Sequence, residues 1–400
     1  MTTLGIETSC DETALALLQT RGSGETFEYR IIQSLVHSQA NLHSAYGGVF
    51  PTLAKREHGK NILPLLDKLL LEAQPYFKEK RYAKDYKKTL DLFEKELSEQ
   101  NPDLWQSILG ADFLVNIPRI DQIAVTQGPG LEPALWVGIS LGRFLSTLWN
   151  IPLIAVDHME GHIIGSLIDE DKPYGVWQYL KGVTYPAIAL LISGGHTELV
   201  EINSLGDYKI IGQTRDDAVG EAFDKVARLL GLPYPGGPHL SRLAEEARQQ
   251  NILSPIKLPR PMIDRDNHDF SFSGLKTAVL YAIKKAEKSG KYDNVFRAGL
   301  ALEFENAVTD TLSAKSAEAI EKIQAKTLIM GGGVSANHSL RRRFTDISAE
   351  YGIPLYMPSF HLSGDNALMI ALVGALNNAP TDSRNIQAQG TKKLGKNLLL

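Results

Sequence analysis

Twice along this 400-residue chain an apolar strand runs into a short turn and returns at once as a second strand. The first copy reads ETSCDETALALL (residues 7–18) and the second LLISGGHTELVEI (residues 190–202). Each copy continues in the same order. After the first, the pattern predicts strands over 4–8, 14–19 and 29–37 and a helix over 53–73 that contains Pro64. A strand over 120–126, a helix over 133–149 and a strand over 152–156 follow. The second copy predicts strands over 185–193, 198–202 and 208–213 and a helix over 219–230. Helices over 239–249, 274–288 and 293–323 come next. A strand over 327–330, a helix over 337–351, a strand over 354–357 and a helix over 365–377 complete it. Such a duplication constrains the chain to an α/β fold of two similar lobes with a cleft between them. The expected first lobe is 1–74 with 119–156, and the second is 157–378. Residues 75–118 interrupt the first lobe as a helical insert, with Tyr82, Tyr86, Phe93 and Leu97 on one stripe amid Lys and Glu. That insert is either a self-covering surface hairpin or an arm for a partner or RNA. The polar tail over 379–400 is weakly patterned.

Composition narrows the function. The chain is 43% hydrophobic and 22% charged, as in ordinary globular proteins. Its net charge of -4 means that any RNA contact must use a local basic patch or a partner. Cys10 is the only cysteine, which excludes a disulfide framework. The start, MTTLGIETSC, has no signal-peptide pattern, and no apolar run reaches the ~18 residues of a membrane span. A cytoplasmic enzyme is expected.

Six segments carry chemistry. In DHMEGH (157–162), His158 and His162 lie one helical turn apart on one face, either as two ligands of one metal or as two satisfied or solvent-facing histidines. The zinc-protease order H-E-x-x-H is absent. Glu160 stands two residues after the first histidine, ~200° round the helix from it, and is badly placed to activate a metal-bound water. SGGH (193–196) places two glycines between strands, where backbone N–H groups can approach an anion. GGGVSAN (331–337) follows an apolar strand and leads into a helix, a cradle for a phosphate or nucleotide that matches neither the Walker nor the dinucleotide pattern. In DDAVGEAFDK (216–225), Glu221 and Asp224 share a helix face and could hold ribose hydroxyls or simply solvate a helix start. Asp365 in SGDNA reads alone as an N-cap, and beside two histidines as the carboxylate of a 2-His-1-carboxylate metal set suited to Fe(II) or Zn(II). The turn Glu7–Thr13 is acidic, and Cys10 within it reads as packing.

Together these segments resemble the TsaD family of tRNA adenosine threonylcarbamoyltransferases. The stretches are GIETSCDET, YGGVFPTLAKREH, VTQGPGL, HMEGH, LLISGGHTELV, DDAVGEAFDKVARLLGLPYPGGP, FSFSGLKT, MGGGVSANHSLR and GDNALMIA, in order along the chain. The resemblance implies two actin-like lobes of the sugar kinase/actin type. It implies transfer of a threonylcarbamoyl group from threonylcarbamoyl-AMP to the N6 amine of the adenosine after the anticodon, in tRNAs that read codons beginning with A. It implies His158, His162 and Asp365 as ligands of one divalent metal, with Fe2+ favoured over Zn2+. It implies Leu191, Ile192, Ser193, Gly194, Gly195, Asp224, Gly237 and Asn337 as adenylate-binding positions, and Glu12 as the acidic residue near the reaction centre. Partner subunits like TsaB and TsaE, or a homodimer, are implied as well.

The chain departs from the family pattern in four places. Thr52 stands where Glu is usual, Glu132-Pro133 replaces a smaller pair, Ser363-Gly364 replaces Cys-Thr, and the insert is longer. An actin-fold ATPase or kinase and a silent tRNA- or partner-binding scaffold are the competing expectations. Paired histidines argue against the kinase, since Mg2+ in such sites is held by carboxylates and water.

Overall fold

The computed structural model describes residues 1–83, 85–169, 172–377, 380–382 and 385–395. Parts of the expected tail, 379, 383–384 and 396–400, lie outside the described residues. The chain divides into two units, Met1–Gly182 with Asp365–Leu394, and Val183–Gly364.

Unit 1 opens with β1 (Thr2–Glu7), β2 (Glu12–Arg21) and β3 (Glu28–Ser38). Helices α1 (Ala40–Ser44) and α2 (Pro51–Ala73) follow, and α2 carries Pro64 inside it. The insert contributes β4 (Lys80–Tyr82), α3 (Tyr86–Gln100), α4 (Pro102–Leu109) and β5 (Asn116–Pro118). Then come β6 (Gln122–Gly128), α5 (Glu132–Trp149), β7 (Leu153–Asp157), α6 (His158–Gly165) and β8 (Gln178–Tyr179). The sheet order is β7-β6-β1-β2-β3-β8. β1 is antiparallel to β2, pairing Thr2 with Gln19 through Glu7 with Ala14, and parallel to β6. Every residue of β1 is buried, as a central strand covered on both faces requires.

The insert is not wholly helical. β4 and β5 pair antiparallel and close it at its base. Tyr82, expected on the helical stripe, lies on β4 and is exposed. Phe93 and Leu97 of α3 are buried as expected, with Phe93 edge-on to Phe144 of α5 at 5.6 Å. Asn101 donates to the Ser140 hydroxyl at 2.9 Å, and Arg143 pairs with Glu96 at 2.5 Å, so the insert is packed against α5.

Unit 2 contains β9 (Ala187–Ile192), β10 (Thr197–Ser204), β11 (Asp207–Gln213), α7 (Val219–Leu229) and α8 (Gly236–Gln249). It continues with α9 (Ser273–Lys288), α10 (Asn294–Ile323), β12 (Thr327–Gly331), α11 (His338–Tyr351) and β13 (Leu355–Tyr356). The sheet order is β11-β10-β9-β12-β13. In both units the strands thus lie in the order third, second, first, fourth, fifth, with the fourth and fifth parallel to the first. This is the duplication read from the sequence, realised as two α/β sheets of one topology. Phe223 of α7 meets Phe304 of α10 edge-on at 5.1 Å within the core of unit 2.

The division differs from the expected boundary at 156/157. Residues 157–182 stay with unit 1, and the final helix α12 (Ala367–Asn377) returns to it. The reason is packing. α12 reads ALMIALVGALN, is apolar nearly all round, and buries Ala367 through Ala375. It lies on β1, β2 and β6, and α6 packs on it in turn. No helix among the described residues is long and apolar enough to cross a membrane.

Candidate metal centre and nucleotide cavity

β7 runs directly into α6, and Asp157 at the junction caps the helix by accepting from Met159 and Glu160 N–H groups at 2.9 and 3.3 Å. His158 is therefore the first helical residue and His162 stands one turn on, with ring centroids 4.7 Å apart. Two glycines let α12 approach this face. A Cβ at Gly161 would stand 3.1 Å from both Ile370 and Met369, and one at Gly165 would stand 3.3 Å from Met369. With α12 drawn in, Asp365 Oδ1 lies 3.4 Å from His158 Nε2 and 3.2 Å from His162 Nε2.

The cap expected of Asp365 is made by its neighbour instead. Asn366 Oδ1 accepts from Met369 N–H at 3.2 Å, and α12 begins at Ala367. The Asp365 carboxylate is thereby left to face the histidines. The three ligand atoms lie within 4.8 Å of one another.

The far side of His158 is also fixed. Its Nδ1 is 3.0 Å from Glu7 Oε2 and 3.3 Å from Ser9 Oγ. Glu7 is fully buried and accepts in addition from the Thr126 hydroxyl at 2.6 Å and the Ser9 N–H at 2.5 Å. A carboxylate in that place holds the proton on Nδ1 and turns Nε2 toward Asp365. Burial pushes the Asp365 carboxyl up, but the nearby His158 and His162 outweigh it and hold it well below the usual carboxylate range. Burial likewise disfavours the charged form of His158, yet Asp365 and Glu7 raise it well above the ordinary imidazole value. His162 Nε2 is buried and makes no hydrogen bond of sound geometry among the described residues. Two nitrogens and one oxygen aimed at one buried point, with Glu7 orienting the first nitrogen, fit a borderline divalent cation such as Fe(II) or Zn(II).

Glu12 begins β2, half-buried, and accepts from the Ser38 hydroxyl at 3.1 Å. Burial, and then the negative charges of Asp11 and Asp365, push its carboxyl well above the usual range. The same causes, burial first, raise the Cys10 thiol, so it stays protonated and poorly nucleophilic.

Unit 2 holds a separate cavity of about 680 Å³. Of the predicted adenylate positions, Gly194, Asp224, Gly237 and Asn337 line it. Asp224 Oδ1 accepts from the N–H groups of Gly236 and Gly237 at 2.7 and 3.3 Å, which fixes the turn into α8. Leu191 and Ile192 do not line it. They are fully buried within β9, paired with β10, with Leu191 also paired with β12. Ser193 and Gly195 belong to the turn above it, where Ser193 Oγ accepts from the N–H groups of Gly195 and His196. Glu221 pairs with Lys225 at 2.9 Å and is not among the lining residues, so only one of the two carboxylates read on that helix face reaches the cavity.

Sequence reading missed the polar floor. Asn337 caps α11 through Leu340 N–H at 2.9 Å, and its amide donates to Ser241 Oγ at 2.8 Å and Glu305 Oε1 at 2.7 Å. Glu305 is buried in α10 and also takes Arg248. The signal was a pair of acids, Glu303 and Glu305, amid the apolar run LALEFENAV, which nothing local explains.

A family model described as "TsaD: tRNA N6-adenosine threonylcarbamoyltransferase" matches residues 30–80 and 93–372. A protein of that name from Persephonella marina is 41% identical over 377 residues, spanning 94% of this chain and 89% of that protein. Another from Chromobacterium violaceum is 40% identical over 377 residues, spanning 94% and 93%. Among solved structures, full-length HypF in its phosphate- and nucleotide-bound form overlays with a TM-score of 0.48 and 10% identity, over 94% of this chain and 47% of that one.

Proposed function

The chain belongs to the TsaD family of tRNA N6-adenosine threonylcarbamoyltransferases, and from that premise we propose how its own residues perform the transfer. The reaction joins a threonylcarbamoyl group to the N6 amine of an adenosine in tRNA. The proposed donor is threonylcarbamoyl-AMP and the proposed acceptor is the adenosine following the anticodon. The donor is a mixed anhydride and already activated, so no covalent nucleophile is needed. That agrees with a Cys10 thiol kept protonated.

The adenylate part of the donor is assigned to the cavity of unit 2. Gly194 and Gly333 would let backbone approach its phosphate, and Asp224 would take ribose hydroxyls. Asn337, held by Ser241 and Glu305, keeps the wall between α8, α10 and α11 rigid before the donor arrives. In unit 1, His158, His162 and Asp365 would hold the divalent ion, with Fe2+ preferred and Zn2+ the alternative. When bound it supplies a Lewis acid for charge that develops on acyl or phosphate oxygen. Glu7 orients His158 for that task. Glu12, with its raised carboxyl, is the group proposed to hold or pass the proton leaving the adenine amine. TsaB-like and TsaE-like subunits, or a second copy of this chain, are the proposed partners, in the cytoplasm.

The observation that carries the metal assignment is the convergence of both Nε2 atoms on one Asp365 oxygen. Purified chain, threonylcarbamoyl-AMP and a cognate tRNA should yield the modified nucleoside on digestion. The reading fails if His158→Ala and Asp365→Ala proteins retain full transfer.

A further inference from the structure

We propose that the leading segment of the insert, residues 76–83 and 85–88, is a docking surface for the tRNA substrate; this rests on the functional reading above. The segment reads YFKEKRYAKDYKK, six basic residues against two acidic with aromatics between them, inside a chain whose net charge is -4. A chain of that charge needs a local basic surface to hold a polyanion.

The side chains divide by face. Arg81 turns inward and donates to the Trp149 carbonyl, and Glu79 is taken by Arg119 at 2.9 Å. Lys78, Lys80, Lys87 and Lys88 are exposed, and none has an ion-pair partner among the described residues. Lys80 and Tyr82 share a face of β4, since residues two apart on a strand do, and Tyr82 is 66% exposed. Five Cα–Cα steps separate Tyr82 from Lys87, so the two halves of the surface lie within ~18 Å. Cations that track a backbone beside an exposed ring on which a base can stack are the elements of single-stranded RNA binding.

Helix stability does not account for these charges. Lys87 and Lys88 sit in the first turn of α3, where the exposed N–H groups disfavour cations, and that turn holds no acid. The acids Asp91, Glu94, Glu96 and Glu99 lie further along, toward the end that disfavours anions. Other basic clusters have local explanations. Arg341 donates to the Ser335 carbonyl, Arg342 pairs with Glu245, and Arg343 pairs with Glu350. Lys285 and Lys288 close the last turn of α9, where the carbonyl end favours them. The family match stops at residue 80 and resumes at 93, so Tyr82, Lys87 and Lys88 lie outside it while Lys78 and Lys80 stand at its edge.

The test uses the full chain with Lys78, Lys80, Lys87 and Lys88 all changed to Gln. The comparison protein has Lys284, Lys285, Lys288 and Lys291 of the α9 end changed to Gln. Kd for an unmodified tRNA transcript is measured by filter binding across a KCl series, alongside kcat and KM for tRNA. The insert variant should raise Kd and KM about tenfold or more and flatten the salt slope by roughly 3, with kcat unchanged. Tyr82→Ala should weaken binding about fivefold with the salt slope unaltered. The α9 variant should change Kd less than about threefold. Wild-type tRNA affinity in the insert variant, or equal losses in both quadruple variants, would overturn the proposal. If wild type modifies tRNA and the insert variant matches it, this inference alone falls. If wild type neither binds nor modifies tRNA, the functional reading falls and takes this inference with it.

Discussion

The two sheets share one strand order but differ at the first turn, and that difference separates two kinds of chemistry. In unit 1 the turn after β1 is acidic. Glu7 is buried behind His158, and burial, followed by the charge of Asp11, raises the Glu12 carboxyl. In unit 2 the matching turn is Ser193-Gly194-Gly195-His196, where a Cβ at either glycine would meet open space. The acidic turn supports a cation-binding cluster of side chains. The glycine turn leaves room beside a cavity whose lining combines Gly194, Gly220, Gly237 and Gly333 with Arg242, Arg248 and Arg342. On the proposed reading, one topology positions a turn, and the residues within it decide whether it serves a metal or an anion.

The sharpest test of that contrast removes the proposed metal ligands. His158→Ala, Asp365→Ala or stripping with a chelator should lower transfer about 10³-fold, since several kcal/mol of charge stabilisation goes with the ion. Adenylate binding by unit 2, measured by calorimetry, should stay within about twofold. A parallel loss of adenylate binding would break the separation.

Next in size is acidification. His58 is fully buried, with Nε2 3.0 Å from the Cys10 carbonyl and Nδ1 2.7 Å from Thr13 Oγ1, so it braces the acidic turn. Burial lowers its pKa to about 4. Between that value and the unfolded value near 6.5, the unfolded chain binds the proton and the folded chain does not. Its contribution is therefore complete above about pH 6.5 and is lost as pH falls toward 4, by about 3 kcal/mol. Denaturant unfolding of unit 1 at pH 7 and pH 4 should show this loss, and His58→Gln should reduce it.

Smaller effects separate the glycines of unit 2. Gly332 has φ +88°, and a Cβ there would lie 2.4 Å from the Ile192 carbonyl oxygen. Gly332→Ala should cost about 2 kcal/mol of stability, read as a lower Tm. Gly333, next in sequence, would meet nothing within 4 Å. Gly333→Ala should change stability by less than ~0.5 kcal/mol while weakening adenylate binding severalfold. If Gly333→Ala left binding untouched, the glycine turn would be a matter of folding alone.

Much of this was legible without coordinates. The repeated strand-turn-strand unit predicted two sheets, because periodicity and turn chemistry are local and act in each copy alike. The i, i+4 spacing placed His158 and His162 on one helix face for the same reason. Other features needed the folded chain. The carboxylate of Asp365 lies more than 200 positions from His158, and only the packing of α12 on β1 and on the glycines of α6 brings it there. Nothing local tells that Asn366 takes the cap and leaves Asp365 for the histidines. The β4–β5 ribbon was hidden because three-residue strands carry too little pattern to outweigh a helical stripe. Glu305 could be noticed as an acid out of place, but its partners Arg248 and Asn337 come from separate helices. Local backbone preference and side-chain period are written residue by residue, so the sequence determined most of the elements and their duplicated order along the chain, while the order of strands within each sheet came from pairing between distant segments. Which polar groups meet, and which carboxylate is free to hold an ion, depends on contacts between distant segments, and that only the tertiary structure decided.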